Sequence, residues 1–320
     1  MEELEFYLKK AKRVVHEVKR SVVGKDEAVC KILMAILARG HILIEDIPGV
    51  GKTTMAMSFA KTLGLDCNRI QLTPDVMPSD LTGFSMYNKA TNRFEYKPGA
   101  VLCNILIADE INRTSPKTQS ALLEAMEEGR VTVDGQAIEL PKPFIVMATQ
   151  NPFGSIGTQK LPESQLDRFM MRLSLGYPTV EDEIAILKSK KNKARIVSEN
   201  ILSSEELANM QEYVDDIYVD DKIYEYVARI AKATRNSDEI VEGMSPRASI
   251  SVIAMAKAEA FLRGHDYVLP SDIQYVLIDV VAHRIIADNG LRKGNITAET
   301  ALKNVLERVE VPRIDVKRVV

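Results

Sequence analysis

The chain of 320 residues contains no tryptophan, only three cysteines and no long apolar segment. Cys30, Cys67 and Cys103 lie far apart and form no C-x-x-C pair, which argues against a disulfide framework or a zinc site and favours a reducing compartment. No apolar run reaches the ~18 residues needed to cross a membrane, and the charged N-terminus lacks the apolar segment of a signal peptide. These absences predict a soluble, cytoplasmic protein without a transmembrane segment.

The net charge is also small. The formal value is −3, and the charged residues are spread along the chain. The basic run at 188–195 (KSKKNKAR) is short and lacks interleaved aromatic residues, so a solvated helix end or a linker explains it better than a nucleic-acid site. Binding to nucleic acid is therefore not expected.

The strongest motif is a glycine-rich loop between an apolar strand and the start of a helix, with the sequence IEDIPGVGKTT at 44–54. Its two glycines let backbone N–H groups turn toward an anion, Lys52 supplies positive charge for the β- and γ-phosphates, and the Thr53 hydroxyl can ligate Mg²⁺. Asp46 stands where the motif normally has its first glycine, which weakens the match without abolishing it. The predicted nucleotide-binding residues of this loop are Pro48, Gly49, Val50, Gly51, Lys52, Thr53 and Thr54.

A second segment, 104–110 (NILIADE), predicts a buried strand that ends in two carboxylates. Asp109 would hold Mg²⁺ directly or through water, and Glu110 would orient and deprotonate the attacking water. Alone, the pair could equally be two solvated acids at the end of a strand. Together with the glycine-rich loop, it predicts a site for nucleoside triphosphate hydrolysis.

Three more polar residues are candidates for the same site. Asn151 follows the strand expected beside Asp109 and could hydrogen-bond the γ-phosphate or the water, although an Asn-Pro turn alone would explain it. Arg168, in the sequence D-R-F, could stabilise charge on the transferring phosphoryl group of its own subunit or of a neighbour; alone, it could be a surface ion pair. Arg247 is predicted in the first turn of a helix, where a cation opposes the helix dipole and a bound phosphate could be the reason for it.

Short apolar strands alternate with helices from residue 41 to about 175, which predicts an α/β fold with a mostly parallel, doubly wound sheet. The predicted strands are 41–45, 69–72, 105–109, 144–149 and 171–175. Residues 1–40 have helical periodicity, and helices are predicted after about residue 200, with starts marked by Ser203, Pro246 and Pro270. The predicted domains are an α/β nucleotide-binding domain at 1–178, a linker at 179–200 and a smaller all-helical domain at 201–320.

These motifs, in this order, resemble the MoxR family of AAA+ ATPases over roughly residues 15–310. The most distinctive segments are 105–128 (ILIADEINRTSPKTQSALLEAMEE) and 146–169 (VMATQNPFGSIGTQKLPESQLDRF). The resemblance implies an AAA+ P-loop core followed by a small all-helical lid domain. It matches Lys52 and Thr53 to Walker A, Asp109 and Glu110 to Walker B, Asn151 to sensor 1, Arg168 to the arginine finger, Arg247 to sensor 2, and Val23 and Gly24 to the segment near the adenine.

The resemblance also implies two insertions. Residues 81–100 look like a helix-2 insert, and they contain the aromatic residues Phe84, Tyr87, Phe94 and Tyr96. Residues 128–140 resemble the hairpin before sensor 1, with a turn at Asp134-Gly135. The aromatic side chains of the first insertion could contact a client or could pack under the insert.

As implied by the resemblance, the chain binds ATP and Mg²⁺ and hydrolyses ATP in a homo-oligomeric ring, a hexamer, in which Arg168 completes the site of the adjacent subunit. The resemblance further implies a chaperone-like activity that remodels client proteins for assembly, activation or metal or cofactor insertion, often together with a separate protein that carries a von Willebrand factor A domain. A nucleotide-gated scaffold with little hydrolysis and a magnesium-chelatase-like ATPase subunit remain as alternatives. A GTPase is disfavoured because 88–91 (NKAT) lacks the acid of N-K-x-D, and a DNA translocase or clamp loader by the acidic balance.

Overall fold

The computed structural model describes residues 2–46, 49–151, 161–191, 198–288 and 296–314. Pro48 of the predicted phosphate loop lies outside the described residues, as do residues 152–160 and residues 192–195 of the basic run. Across the described ranges, no helix has both the length and the apolar character that crossing a bilayer requires.

The described strands are β1 (Ile42–Glu45), β2 (Cys67–Gln71), β3 (Phe84–Asn88), β4 (Arg93–Lys97), β5 (Ile105–Asp109), β6 (Arg130–Val133), β7 (Gln136–Glu139), β8 (Ile145–Gln150), β9 (Met171–Leu173), β10 (Ile240–Glu242) and β11 (Ile286–Ala287). The described helices are α1 (Glu2–Ser21), α2 (Asp26–Leu37), α3 (Lys52–Thr62), α4 (Pro78–Thr82), α5 (Pro116–Glu128), α6 (Glu163–Leu166), α7 (Val180–Lys191), α8 (Ser204–Asp215), α9 (Asp221–Arg235), α10 (Pro246–Arg263), α11 (Pro270–Val281) and α12 (Ala298–Arg308).

A parallel five-stranded sheet with the strand order β2-β5-β8-β1-β9 lies at the centre of the molecule. The five strands are those predicted from the sequence, and their ends differ from the predicted ones by at most two residues. The α/β fold is therefore confirmed. Because the strands are parallel, the loops after β1, β5 and β8 all leave the same edge of the sheet, which brings the site residues predicted in these three loops to one place.

Two hydrophobic cores cover the two faces of this sheet, as a parallel sheet requires. Side chains of β1 alternate between them, with Ile42 and Ile44 in one core and Leu43 in the other. The first core includes buried residues of α1, α2 and α3 and continues into the C-terminal helices. The second includes Leu122 and Leu123 of α5.

The C-terminal region consists of α8 to α12, and it packs against the first two helices of the chain through contacts of α10 with α1 and α2. The predicted helix starts are confirmed at Ser203, which forms a capping box with Glu206, and at Pro246 and Pro270. This region also contains a short antiparallel pair, β10 and β11, which the expectation of an all-helical domain did not include. The two strands are short and far apart in the sequence, so no local pattern predicts their pairing.

Helix α7 lies within the segment 179–200 that was predicted to be a linker. Its first turn contains Glu181, Asp182 and Glu183, and acidic side chains in a first turn stabilise a helix through its dipole. The apolar side chains of Val180, Ile184 and Leu187 are exposed on this helix. The connection between the two domains is thus partly a helix that buries little of its own apolar surface.

Two antiparallel hairpins project from the core domain. One is formed by β3 and β4 within residues 81–100, and the other by β6 and β7 within 128–140. Asp134 and Gly135 have φ angles of 50° and 79°, as a type I′ turn requires. In the first hairpin Phe84, Tyr87 and Phe94 are exposed, so these three rings do not pack under the insert.

Candidate functional site

The loop after β1 has the backbone conformation of an anion-binding turn. Gly49 and Gly51 have φ angles of 89° and 95°, which side chains with a Cβ rarely adopt. A Cβ at either glycine would meet no atom of the described residues within 4 Å, so the concave side of the loop is open among them. Backbone N–H groups can therefore be approached closely by a phosphate.

Helix α3 begins directly after Gly51, and its first turn has neither a capping side chain nor an acidic residue. Five other helices begin with a side chain that accepts a hydrogen bond from the first turn, namely Ser115, Ser203, Asp220, Ser245 and Thr297. The first N–H groups of a helix have no partner within the helix, and together with the dipole they favour an anion. Both features support a phosphate site at the start of α3.

Lys52 lies over this loop and close to the acidic residues of the site. Its Nζ donates a hydrogen bond to the backbone oxygen of Asp46 at 2.8 Å. Burial lowers the pKa of Lys52, while the charges of Asp46, Asp109 and Glu110 act in the opposite direction. The interaction with Asp109 and Glu110 brings the glycine-rich loop and the acidic strand into one electrostatic site.

The Asp46 side chain has a structural role that the motif alone does not reveal. The carboxylate is buried, and Oδ2 accepts hydrogen bonds from the backbone N–H groups of Leu175 at 2.6 Å and Gly176 at 2.7 Å. Lys25 binds the same segment, because its Nζ donates to the carbonyl oxygens of Leu175 at 2.6 Å, Gly176 at 3.0 Å and Tyr177 at 3.1 Å. We call Lys25, Asp46 and residues 175–177 the charged clamp.

Asp109 and Glu110 lie at the end of the central strand β5. Asp109 is buried, and its Oδ1 accepts a hydrogen bond from Thr149 Oγ1 at 3.2 Å. The same hydroxyl accepts a hydrogen bond from the N–H of Glu110 at 3.0 Å, and Glu110 has a φ angle of 58°. Thr149 of β8 therefore fixes both acidic residues, a contact between neighbouring strands that the sequence does not indicate.

Both carboxylates have cationic or polar partners. Arg69 Nε donates to Asp109 Oδ2 at 2.7 Å, while Glu110 Oε2 accepts from Arg113 Nη1 at 2.7 Å and from Gln71 Nε2 at 3.2 Å. Burial acts to raise the pKa of Glu110, but the bonds from Arg113 and Gln71 and the charge of Lys52 lower it overall. Glu110 is thus ionised at neutral pH, as a general base must be.

The residues present fit a magnesium ion that is shared with a nucleotide. Thr53 is half-buried in the first turn of α3, beside the open concave loop, and Asp109 supplies a carboxylate oxygen. Mg²⁺ is commonly held by one or two protein oxygens together with phosphates and water. Thr54 is exposed, and Val50 packs against the first core.

Asn151 is the first residue after β8 and is half-buried, on the same edge of the sheet as Asp109. The predicted adenine segment lies nearby but on the other side of β1. Gly24 has a φ angle of 72°, and a Cβ there would lie 2.0 Å from Asp182 Oδ2, so this glycine packs directly on the start of α7. Gly24 also lines a cleft of about 470 Å³ between the two domains, and Val23 precedes it as a half-buried residue.

Arg168 and Arg247 lie together, and both bind Glu127 of α5. Arg168 Nη1 is 2.8 Å from Glu127 Oε2 and also donates to the carbonyl oxygen of Leu123 at 2.7 Å. Arg247 Nη2 is 2.5 Å from Glu127 Oε1. One carboxylate therefore holds both arginines, one from the core and one from the C-terminal domain.

This pair lies on the edge of the sheet opposite to the phosphate loop. β1 and β9 are parallel with Ile42 beside Met171, and the N–H of Met170 bonds the carbonyl oxygen of His41 at 2.8 Å. Arg168 therefore lies at the amino end of β1, whereas Lys52 follows its carboxyl end, and a four-residue strand spans roughly 13 Å. Neither arginine is grouped with Asp109 or Glu110 of its own subunit.

The C-terminal domain also holds the turn that carries Arg168. Arg284 Nη2 and His283 Nε2 donate to the carbonyl oxygen of Phe169 at 2.7 Å and 2.9 Å, and Arg284 Nε is 3.4 Å from Asp167 Oδ1. Burial lowers the pKa of His283 to about 3 and that of Arg284 to about 10, so the arginine is the charged member at neutral pH. The position of Arg168 thus depends on the C-terminal domain.

A parallel α/β core with a glycine-rich loop before α3, two acidic residues at the end of β5 and a helical domain after the sheet defines an AAA-type P-loop ATPase. Comparison with known proteins agrees. The model of the ATPase family associated with various cellular activities (AAA) matches residues 41–171, and the model of the AAA lid domain matches residues 232–305.

Relatives that match over most of their length indicate which family of AAA-type ATPases the chain belongs to. The chain is 38% identical over 312 residues to the chaperone MoxR1 of Mycobacterium tuberculosis, covering 95% of this chain and 82% of that one. It is 46% identical to the uncharacterised protein YeaC of Bacillus subtilis, covering 94% of both. The crystal structure of a candidate ATPase from Cytophaga hutchinsonii matches with a TM-score of 0.92 and 37% identity, covering 98% of both chains. The chain belongs to the MoxR family of AAA+ ATPases, and we refer to its C-terminal domain as the lid.

Proposed function

We propose that this chain hydrolyses ATP at sites formed between subunits of a ring, by family resemblance a hexamer. The observation that carries the proposal is the separation of Arg168 and Arg247 from the phosphate loop of their own subunit. In a closed head-to-tail ring, the arginine edge of one subunit meets the phosphate-loop edge of the next. Two cations that are paired with one half-exposed carboxylate in the single chain would then reach the phosphates of a neighbour.

Within one subunit, the glycine-rich loop and Lys52 would bind the β- and γ-phosphates, and Val23 and Gly24 would contact the base. Thr53 and Asp109 would hold Mg²⁺, which when bound neutralises charge on the phosphates. Glu110 would take the proton of the attacking water, and its lowered pKa keeps it ionised for that step. Asn151 would orient the water or the γ-phosphate from the tip of β8.

The free energy of ATP hydrolysis would be used to remodel a client protein. MoxR1, which shares 38% identity with this chain, is named a chaperone. The exposed rings of Phe84, Tyr87 and Phe94 on the hairpin of β3 and β4 offer an apolar surface for such contacts. A separate protein with a von Willebrand factor A domain would act as partner, a proposal that rests on the family resemblance.

Complementation between inactive subunits tests the shared site. Lys52→Ala removes the phosphate ligand but keeps the arginines, and Arg168→Ala removes the arginine but keeps the phosphate loop. Each variant alone should lose turnover, the second by about 10³–10⁵. Mixing the two should restore activity, because an Arg168→Ala subunit then receives Arg168 from a Lys52→Ala neighbour.

ATP turnover per wild-type subunit, measured with Mg²⁺ at rising protein concentration, gives the second criterion. Specific activity should rise and then saturate as rings form. Activity that is appreciable at all concentrations, with no complementation, would refute the shared site. Nucleotide binding without turnover at any concentration would favour the nucleotide-gated scaffold.

A further inference from the structure

We infer that Glu127 is a positioning residue that sets Arg168 and Arg247 as one unit for the phosphates of a neighbouring subunit. This inference rests on the proposed site between subunits. Neither the glycine-rich loop nor the acidic strand includes Glu127, which lies near the end of α5. Its two carboxylate oxygens bind one arginine each.

The contacts fix Arg168 in orientation as well as in place. Arg168 Nη1 lies 2.8 Å from Glu127 Oε2 in an ion pair and donates a hydrogen bond to the carbonyl oxygen of Leu123 at 2.7 Å. Both oxygens belong to α5, so Nη1 is directed toward this helix. With Nη1 engaged by α5, the guanidinium can still bind two phosphate oxygens through Nη2 and Nε.

Arg247 is held by the same carboxylate through a single contact. Its Nη2 is 2.5 Å from Glu127 Oε1, and the residue lies in the first turn of α10 in the lid. A cation in that position opposes the helix dipole, so an ion pair with the core offsets an unfavourable interaction. Glu127 thus links the lid arginine to the core arginine.

Glu127 also sets the net charge of the group that the two arginines form with it. Two guanidinium groups that meet at one carboxylate carry one net positive charge with Glu127, and two without it. The three side chains are 38%, 31% and 45% exposed for Glu127, Arg168 and Arg247, so water reaches all of them. Because exposed ion pairs contribute little to folding stability, the pairs with Glu127 serve to orient the two arginines rather than to stabilise the fold.

Glu127→Gln tests the inference, because glutamine keeps the size of the side chain and removes the charge. With rings saturated, kcat should fall about tenfold to a hundredfold, the cost of a misplaced catalytic group. The Kd for ATP should stay within about twofold of the wild-type value, because Glu127 acts on the site of the adjacent subunit and is not part of the phosphate loop. Glu128→Gln is the matched control, since Glu128 is the next residue of α5 and pairs with Arg130 at 3.3 Å.

A double-mutant cycle with Arg168→Lys and Arg247→Lys measures the coupling between the two arginines, which would not change if Glu127 had only a structural role. With Glu127 present, the two effects on kcat should be non-additive, because the arginines share one anchor. In the Glu127→Gln background, the same two effects should become additive. Sedimentation of each variant checks that rings still form.

Three outcomes would overturn the inference. These are equal kcat values for the Glu127→Gln and Glu128→Gln variants, a rise in kcat on Glu127→Gln, and a fall that is fully explained by lost assembly. If instead the Arg168→Ala variant had the same turnover as wild type, the proposed site between subunits would itself be refuted. The two failures are therefore distinguishable.

Discussion

Arg69 on β2 binds Asp109 on β5 through a hydrogen bond of 2.7 Å from Nε to Oδ2. Gln71↔Asp109 and Arg69↔Ile107 are the paired positions of these strands, so the contact crosses two neighbouring strands diagonally. The carboxylate proposed to hold Mg²⁺ is therefore paired with a cation in the subunit described here. A metal ion and Arg69 would compete for the same oxygen.

Arg69→Gln should lower the Mg²⁺ concentration needed for half-maximal nucleotide binding, because it removes this competitor. Arg69 is 54% exposed, and an exposed ion pair is worth up to about 1 kcal/mol, so the shift should not exceed about fivefold. A magnesium titration with a fluorescent ATP analogue measures it, with Arg93→Gln on β4 as control. A higher magnesium requirement would show that Arg69 assists the metal.

Glu110→Gln should keep nucleotide binding and lose hydrolysis by roughly 10²–10⁴, because glutamine cannot accept the proton of the attacking water. Single-turnover hydrolysis and the Kd for ATP separate the two effects. Glu124→Gln, at an exposed position of α5, controls for the loss of one negative charge. Normal hydrolysis by the Glu110→Gln variant would exclude Glu110 as the base.

Asp46→Gly restores the glycine of the usual phosphate-loop motif, yet it should destabilise this protein. The substitution removes the acceptor of the N–H groups of Leu175 and Gly176, at a cost of about 2–4 kcal/mol in the free energy of unfolding. Urea unfolding measures the loss, and the exposed Asp75→Gly variant serves as control. Wild-type stability after Asp46→Gly would mean that the charged clamp contributes nothing.

Acid should destabilise the fold through His41. The N–H of Val146 donates to His41 Nδ1 at 3.0 Å, Nε2 lies 3.0 Å from the carbonyl oxygen of Met126, and burial lowers the pKa to about 4. The unfolded chain, with a pKa near 6.5, binds a proton first, so stability present above about pH 6.5 is lost as pH falls toward 4. This histidine changes the free energy of unfolding by up to about 1.4 kcal/mol per pH unit.

Urea unfolding of wild type and His41→Gln between pH 7 and pH 4 measures this slope. The variant should be less stable at pH 7 and should lose less stability on acidification. His16→Gln on α1 controls for the loss of a histidine as such. Parallel pH profiles for wild type and His41→Gln would contradict the assignment.

Strands β1, β5, β8 and β9 could be predicted from the sequence because each is a short, mostly apolar and mostly buried run, whereas β2 is more polar and more exposed. The hairpin turn at Asp134-Gly135 and the capping box of Ser203 were predictable for a similar reason, since their signals lie within four residues. The glycine-rich loop is equally local, and its open shape agrees with the motif. Its nucleotide-binding role stays a prediction.

Contacts between distant segments could not be predicted in this way. Thr149 meets Asp109 only because β5 and β8 are neighbours, and Glu127 meets Arg247 only because the lid returns to the core. Asp46 looked like a weakened motif residue because its partners lie beyond β9. Helix α7 was not predicted because the basic run 188–195, which overlaps the end of the helix, favoured a linker.

The charged clamp has a thermodynamic consequence. Asp46 begins the predicted phosphate loop and binds Leu175 and Gly176, and Lys25 follows the predicted adenine segment and binds residues 175–177. This backbone leads into α7 and the lid. A ligand that favours one placement of the loop therefore favours one placement of the lid. Since such linkage is reciprocal, a client that displaced the lid would change the affinity for nucleotide by the same factor by which nucleotide would change the affinity for that client.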